Sequence, residues 1–201
     1  MDSQLTLVDR DPPVRLTFGP DSMTNALVSC GGVRRYRIAT RLHGFRTEIR
    51  EVGPGGEDAD AAEPAVVISR REVLKDTIRF RGGKEVKIAQ WMRKTKLAGR
   101  VAYVVENELG SFTLRVDPVY RLALFADFDS ETPIAHWSET DAATLVIDLP
   151  GPAAPETHLE ILAAFTIQEL RLRMLEKAAI VAQRRASIGL GSRGGSKLLS
   201  S

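Results

Sequence analysis

The stretch THLEILAAFTIQELRLRMLEKAAIVAQRR, residues 157–185, decides the fold. Thr157-His158-Leu159-Glu160 has the spacing of a capping box. A Thr oxygen accepts from the backbone N–H three residues on, and the Glu reaches back. From Leu159 to Ile167 the sequence is apolar on nearly every side, broken only by Glu160 and Thr166. A helix apolar all round has to be enclosed, so Leu159, Ile161, Leu162, Ala163, Phe165 and Ile167 are predicted to lie inside the protein. Beyond them Leu170, Met174, Leu175, Ala178 and Val181 keep helical spacing, but Arg171, Arg173, Glu176 and Lys177 flank them. The second half is therefore expected to be half-exposed. Such a helix would be about 40 Å long at 1.5 Å per residue, longer than a small barrel is deep, so its end should protrude.

Working backwards, Gly151-Pro152-Ala153-Ala154-Pro155 is a breaker-rich linker. Nearly everything before it reads as short strands. Val14, Leu16 and Phe18 alternate with polar residues. Further strands are predicted at Ala26–Ser29, around Tyr36 and Ile38, and from Phe45 to Val52 after a turn at His43-Gly44. Ala65–Ser69, Thr77–Arg81 and Glu85–Ile88 follow, with Arg81-Gly82-Gly83-Lys84 as a hairpin turn. Arg100–Glu106, Ser111–Val116, Tyr120–Phe125, Ile134–Trp137 and Thr144–Leu149 complete the set. Many short strands at near-regular spacing point to a barrel or sandwich. The expected organisation is a loose arm over 1–13, one domain over 14–185 with the central helix over 157–185, and a flexible Gly/Ser tail over 186–201. Residues 53–63, Gly- and acid-rich without a bulky apolar side chain, read as a disordered internal loop.

Leu16-Thr17-Phe18-Gly19-Pro20, Tyr36-Arg37-Ile38-Ala39-Thr40, Thr47-Glu48-Ile49-Arg50 and Thr77-Ile78-Arg79-Phe80-Arg81-Gly82, together with a final helix after a Pro-rich linker, carry a resemblance. Over roughly 14–183 the chain resembles a fungal family of unknown function. That family is similar in fold to the tubby C-terminal domain, the LURP-one-related proteins and the phospholipid scramblases. The resemblance implies a closed antiparallel barrel of about twelve strands around a central C-terminal helix. It implies no activity, since fold does not fix function, and no lipid-site motif carries over residue by residue.

Composition narrows the function classes. The chain has 201 residues, 43% of them hydrophobic and 27% charged, with a net charge of +2. That is an ordinary globular balance. With only 6% aromatic residues, base stacking on single-stranded nucleic acid is a poor expectation. Cys30 is the one cysteine, which rules out an internal disulfide and fits a reducing, intracellular setting, cytoplasmic or peripheral at a membrane surface. The uncharged run Ile161–Ile167 is far short of the roughly 20 residues of a membrane span. His43, His136 and His158 are scattered with no metal-ligand spacing. There is no Gly-x-Ser-x-Gly elbow, and Gly189-Leu190-Gly191-Ser192-Arg193-Gly194 follows a helix where a dinucleotide fingerprint needs a strand. No catalytic residue, metal or cofactor is therefore expected. Asp127-Phe128-Asp129-Ser130-Glu131 lacks the Gly and the final Glu of a calcium loop and reads as a hairpin turn.

Charge is uneven along the chain. Arg34, Arg35, Arg37, Arg79, Arg81, Lys84, Lys87, Arg93, Lys94 and Lys96 crowd two basic segments, 34–50 and 70–100, whereas 127–148 carries acids and no Lys or Arg. These ten are the candidate lipid- or anion-binding residues. Brought to one face they would attract anionic headgroups; the other reading is the solvated outer face of a barrel. Trp91 beside the densest cluster is either an interfacial anchor or a buried ring. Arg184-Arg185-Ala186-Ser187 has the pattern of a basophilic kinase site at Ser187. The expected function is a non-catalytic module binding anionic phospholipid headgroups peripherally. The alternative is a protein-interaction module that uses the protruding helix from Met174 to Ala182.

Overall fold

The computed structural model of the protein describes residues 12–19, 23–53, 63–70, 75–138, 143–149 and 154–191, without the side chains of His43 and of 186–191. Ser187 as a modification site, the arm over 1–11, the loop residues 54–62 and the end of the tail lie outside the described residues.

Thirteen strands follow one another: β1 (Val14–Gly19), β2 (Ala26–Cys30), β3 (Val33–Arg41), β4 (Arg46–Glu51), β5 (Val66–Ser69), β6 (Thr77–Phe80), β7 (Val86–Lys87), β8 (Met92–Leu97), β9 (Arg100–Asn107), β10 (Gly110–Asp117), β11 (Arg121–Ala126), β12 (Asp129–Ser138) and β13 (Thr144–Ile147). A one-turn helix, α1 (Ile88–Trp91), sits between β7 and β8, and the long helix α2 (Pro155–Gly191) closes the chain. All strands join one antiparallel sheet in the order β7-β6-β5-β4-β3-β2-β1-β13-β12-β11-β10-β9-β8. The order is that of a meander, with β1 and β13 registered through Val14–Ile147 and Thr17–Thr144.

The edges of the sheet are β7 and β8, and no hydrogen bond joins them. Yet they are consecutive in the chain. The four residues of α1 advance only about 6 Å along a helix, so the two edges come back toward each other and the sheet curves. Its concave face carries Leu16, Phe18, Val28, Ile38, Ile49, Ile68, Leu114 and Leu145, all 2% exposed or less. Phe18 meets Trp137 edge-on at 4.9 Å, a favoured aromatic geometry.

Helix α2 fills that concavity. Every residue from Ile161 to Leu170 is buried, polar ones included. Ile161, Leu162, Ala163, Phe165 and Ile167 are 4% exposed or less, whereas Leu159 is half-buried at the mouth. Since α1 is the only other helix described and is one turn long, the sheet does the enclosing. From Met174 to Arg185 every side chain is exposed.

Three local readings change. The helix starts at Pro155, where the missing N–H of proline is no loss, and Thr157 is a buried first-turn residue whose own N–H donates to the Ala154 carbonyl, not a cap. Its far end runs to Gly191, six residues past 185, so part of the expected tail is helical. Strand β8 and α1 stand where a basic loop was expected, because the inward positions Lys94 and Lys96 break the apolar alternation. Strand β12 begins at Asp129, ahead of the expected Ile134. Pro133, which cannot donate to the ladder, sits at two register shifts opposite Phe125.

Candidate functional site

The meander gives the sheet two ends. At the linker end α2 begins, among the turns after Cys30, Phe80, Asn107 and Ala126. At the exit end α2 leaves, among the turns after Arg41, Leu97 and Asp117. Two contacts fix this direction: Arg70 of the β5 end reaches the Met174 thioether, and Arg121 at the β11 start grips the helix.

The two ends differ chemically. Around the linker end stand Glu51, Glu108, Asp127, Glu156 and Glu160. A cavity of about 310 Å³ there is lined by Glu51, Arg81, Glu156 and Glu160 with Ala65, Phe80 and Leu159. Burial pushes the Glu160 carboxyl up, Asn107 pulls it down by a hydrogen bond, and Glu108 adds to the rise.

The exit end is apolar and basic. Leu42, Leu97, Val101, Val116 and Val119 are 66, 42, 42, 45 and 76% exposed, and the emerging helix adds Leu175, Ile180 and Val181. Backbone strain collects here too. The three non-glycine residues with left-handed φ among those described, Leu42 (52°), Ala98 (47°) and Arg121 (51°), are all in exit-end turns. Such strain persists where surrounding structure imposes it, and it gathers at functional loops. Leu42 combines that conformation with an exposed apolar side chain.

The acids at this end are already engaged. Asp117 accepts backbone N–H bonds from Val119 and Tyr120. Glu169, 2% exposed, accepts from Arg121 Nε at 2.9 Å and Arg173 Nε at 2.7 Å. Glu176 takes the other side of the Arg121 fork at 2.9 and 3.2 Å, and these bonds hold its carboxyl low and raise the guanidinium further. Arg41, Lys96, Arg100, Lys177, Arg184 and Arg185, by contrast, are exposed and make no ion pair among the described residues.

The ten predicted anion-binding residues are spread over both ends and both edges. Arg34 and Arg35 stand exposed at the linker end of β3. Arg37 lies half-buried on the outer face, registered with Arg50. Arg79, Arg81 and Arg93 are ion-paired with Glu63, Glu51 and Glu106. Lys84 and Lys87 flank β7, while Lys94 and Lys96 stand on β8. Trp91 is half-buried against Phe80, 5.5 Å between ring centres, the buried-ring reading of that residue. Asp129 caps its own turn by accepting from Glu131 and Thr132. Sequence reasoning missed the joint role of Leu42, Arg41, Arg100 and Val119. They are scattered along the chain and only the hairpin topology gathers them. Set against known protein families, curated proteins and solved structures, the chain matches none.

Proposed function

We propose that this chain is a non-catalytic module that binds anionic membrane lipid peripherally, with its exit end toward the bilayer. The observation that carries the reading is the coincidence, at that one end, of exposed Leu42, Leu97, Val119, Leu175 and Ile180 with unpaired Arg41, Lys96, Arg100, Lys177 and Arg184. Apolar side chains insert at the headgroup boundary, and each nearby cation gains about 1 kcal/mol beside an anionic leaflet. Acids at the opposite end give the molecule a charge axis that orients the approach. In this reading the sheet is a tubby-like barrel whose seam is spanned covalently by α1. No helix is long and apolar enough to cross a membrane, so attachment rests on the surface. Co-sedimentation with phosphatidylcholine vesicles, with and without a phosphoinositide, tests it. Binding that depends on the anionic lipid and weakens with salt is expected; equal pelleting with both overturns it.

A second reading has one observation of its own: Met174, Leu175, Ile180 and Val181 are each about half-exposed or more along one protruding helix. In that reading the helix docks on a protein or a second copy. Light scattering before and after Met174→Glu and Val181→Glu decides between them, because a fall in mass favours docking and an unchanged monomer favours the membrane.

A further inference from the structure

Where α2 leaves the sheet, two buried polar atoms have no partner among the described residues: Oε1 of Gln168 and one terminal guanidinium nitrogen of Arg171. Gln168 is 6% exposed, and the two side chains, three residues apart, share one helix face. The Arg171 guanidinium lies 4.9 Å over the ring of Tyr103, which places that face opposite β9.

Register identifies what else points there. Met92 and Val105 are paired and both belong to the core. Side chains alternate along a strand, so Lys94, paired with Tyr103, and Lys96, paired with Val101, stand on the same concave face of β8. Both lysines are exposed, and β8 is a sheet edge with no strand beyond it. The concave surface is therefore open on that side. Three cations converge with no carboxylate bonded to them: Glu169 is held by Arg121 and Arg173, and Glu106 is held by Arg93 on the outer face.

We propose that Arg171, Gln168, Lys94 and Lys96, floored by Tyr103, form a slot for a phosphate monoester carried on a hydroxyl-bearing group. The guanidinium and the two ammonium groups meet the charge. Buried polar groups call for hydrogen-bond partners, and the Gln168 oxygen accepts from a ligand hydroxyl while Arg171 donates to phosphate oxygen. Arg suits this position, since its planar fork matches phosphate geometry and stacks on an aromatic ring. A phosphorylated inositol carries both parts, either free or as a lipid headgroup. The slot deepens the membrane reading by naming the headgroup, and it rests on that reading only for the lipid source.

The test uses the whole chain and three probes: inositol 1,4,5-trisphosphate in solution, phosphatidylcholine vesicles containing a phosphoinositide, and vesicles of equal charge made with phosphatidylserine. The wild type is expected to bind the soluble probe and to prefer phosphoinositide vesicles. Arg171→Met should weaken the soluble probe at least about tenfold, the loss of one charge-assisted hydrogen bond in a sheltered site. Lys94→Ser/Lys96→Ser, on an exposed edge strand, should weaken it several-fold with an unchanged melting temperature, which keeps the test valid if the Arg171 variant misfolds. No binding of the soluble probe, or binding unaltered in the lysine variant, overturns the slot. Vesicle binding without headgroup preference overturns the slot and leaves the peripheral reading standing. Soluble binding lost with the lysines but no vesicle binding supports the slot and removes the lipid source.

Discussion

Arg121 shows how one residue ties the elements together. Its backbone is left-handed, φ 51°, a conformation costing an ordinary residue about 1 kcal/mol. In that pose the guanidinium holds Glu169 and Glu176, one helical turn pair apart on α2. Glu169 is buried, so losing its partner leaves a charge without water. Arg121→Met is expected to cost on the order of 2–3 kcal/mol in urea unfolding, less than a fully buried pair because the arginine is 31% exposed. An unchanged midpoint would mean that Arg173 alone satisfies Glu169. Two other carboxylates should respond to pH with opposite signs. At Glu48, 6% exposed, burial pushes the pKa up, but hydrogen bonds from Arg50 and Arg46 outweigh it and hold the group low. Its contribution is present above the unfolded carboxylate value and lost as pH falls through the folded one. Glu160 is raised by burial; its protonated form suits the fold, and stability is lost as pH rises through its folded value. Glu48→Gln should therefore lower the melting temperature at pH 7, and Glu160→Gln should raise it. Both differences should shrink at acid pH, where scanning calorimetry checks the crossover.

At the scale of elements, α2 is read almost completely from the chain because its signal is local: ten successive buried positions need ten residues that tolerate enclosure, and Ile161–Leu170 supply them. Its start was misplaced by two residues since Thr157-x-x-Glu160 has capping spacing while Pro155 already has helical φ. Strand β8 was illegible for the opposite reason. Its pairing with β9 is set by the tight Ala98-Gly99 turn, not by alternation, and two inward lysines mask the pattern. The same holds for the candidate site. The apolar and basic residues of the exit end lie far apart in sequence, and no periodicity connects Leu42 to Val119. Along α2 the account separates two kinds of position. Phe165→Ala, with the side chain wholly buried, should cost about 3–5 kcal/mol. Leu175→Ser, 67% exposed, should change stability by less than about 0.5 kcal/mol and weaken vesicle pelleting. Equal destabilisation by both would place the protruding segment in the core.

For the molecule as a whole, the direction of α2 matters most. The helix enters among Glu51, Glu156 and Glu160 and leaves among Arg41, Arg100 and Lys177, so one element carries the chain from an acidic end to a basic, apolar one. The uneven charge along the sequence foretold part of this: the acids of 127–148 and the basic segments were visible, but their sorting depends on which hairpins turn at which end. Arg34, Arg35 and Arg81 turn at the acidic end, which is why a patch read from sequence density alone picked the wrong neighbours for them. Hydrogen–deuterium exchange of the chain bound to phosphoinositide vesicles, compared with the free chain, tests this polarity most directly. The account predicts new protection at residues 42–45, 97–101, 118–120 and 174–185, with 31–35, 108–109 and 127–128 unchanged. Protection appearing at the second set, or at neither, would contradict it.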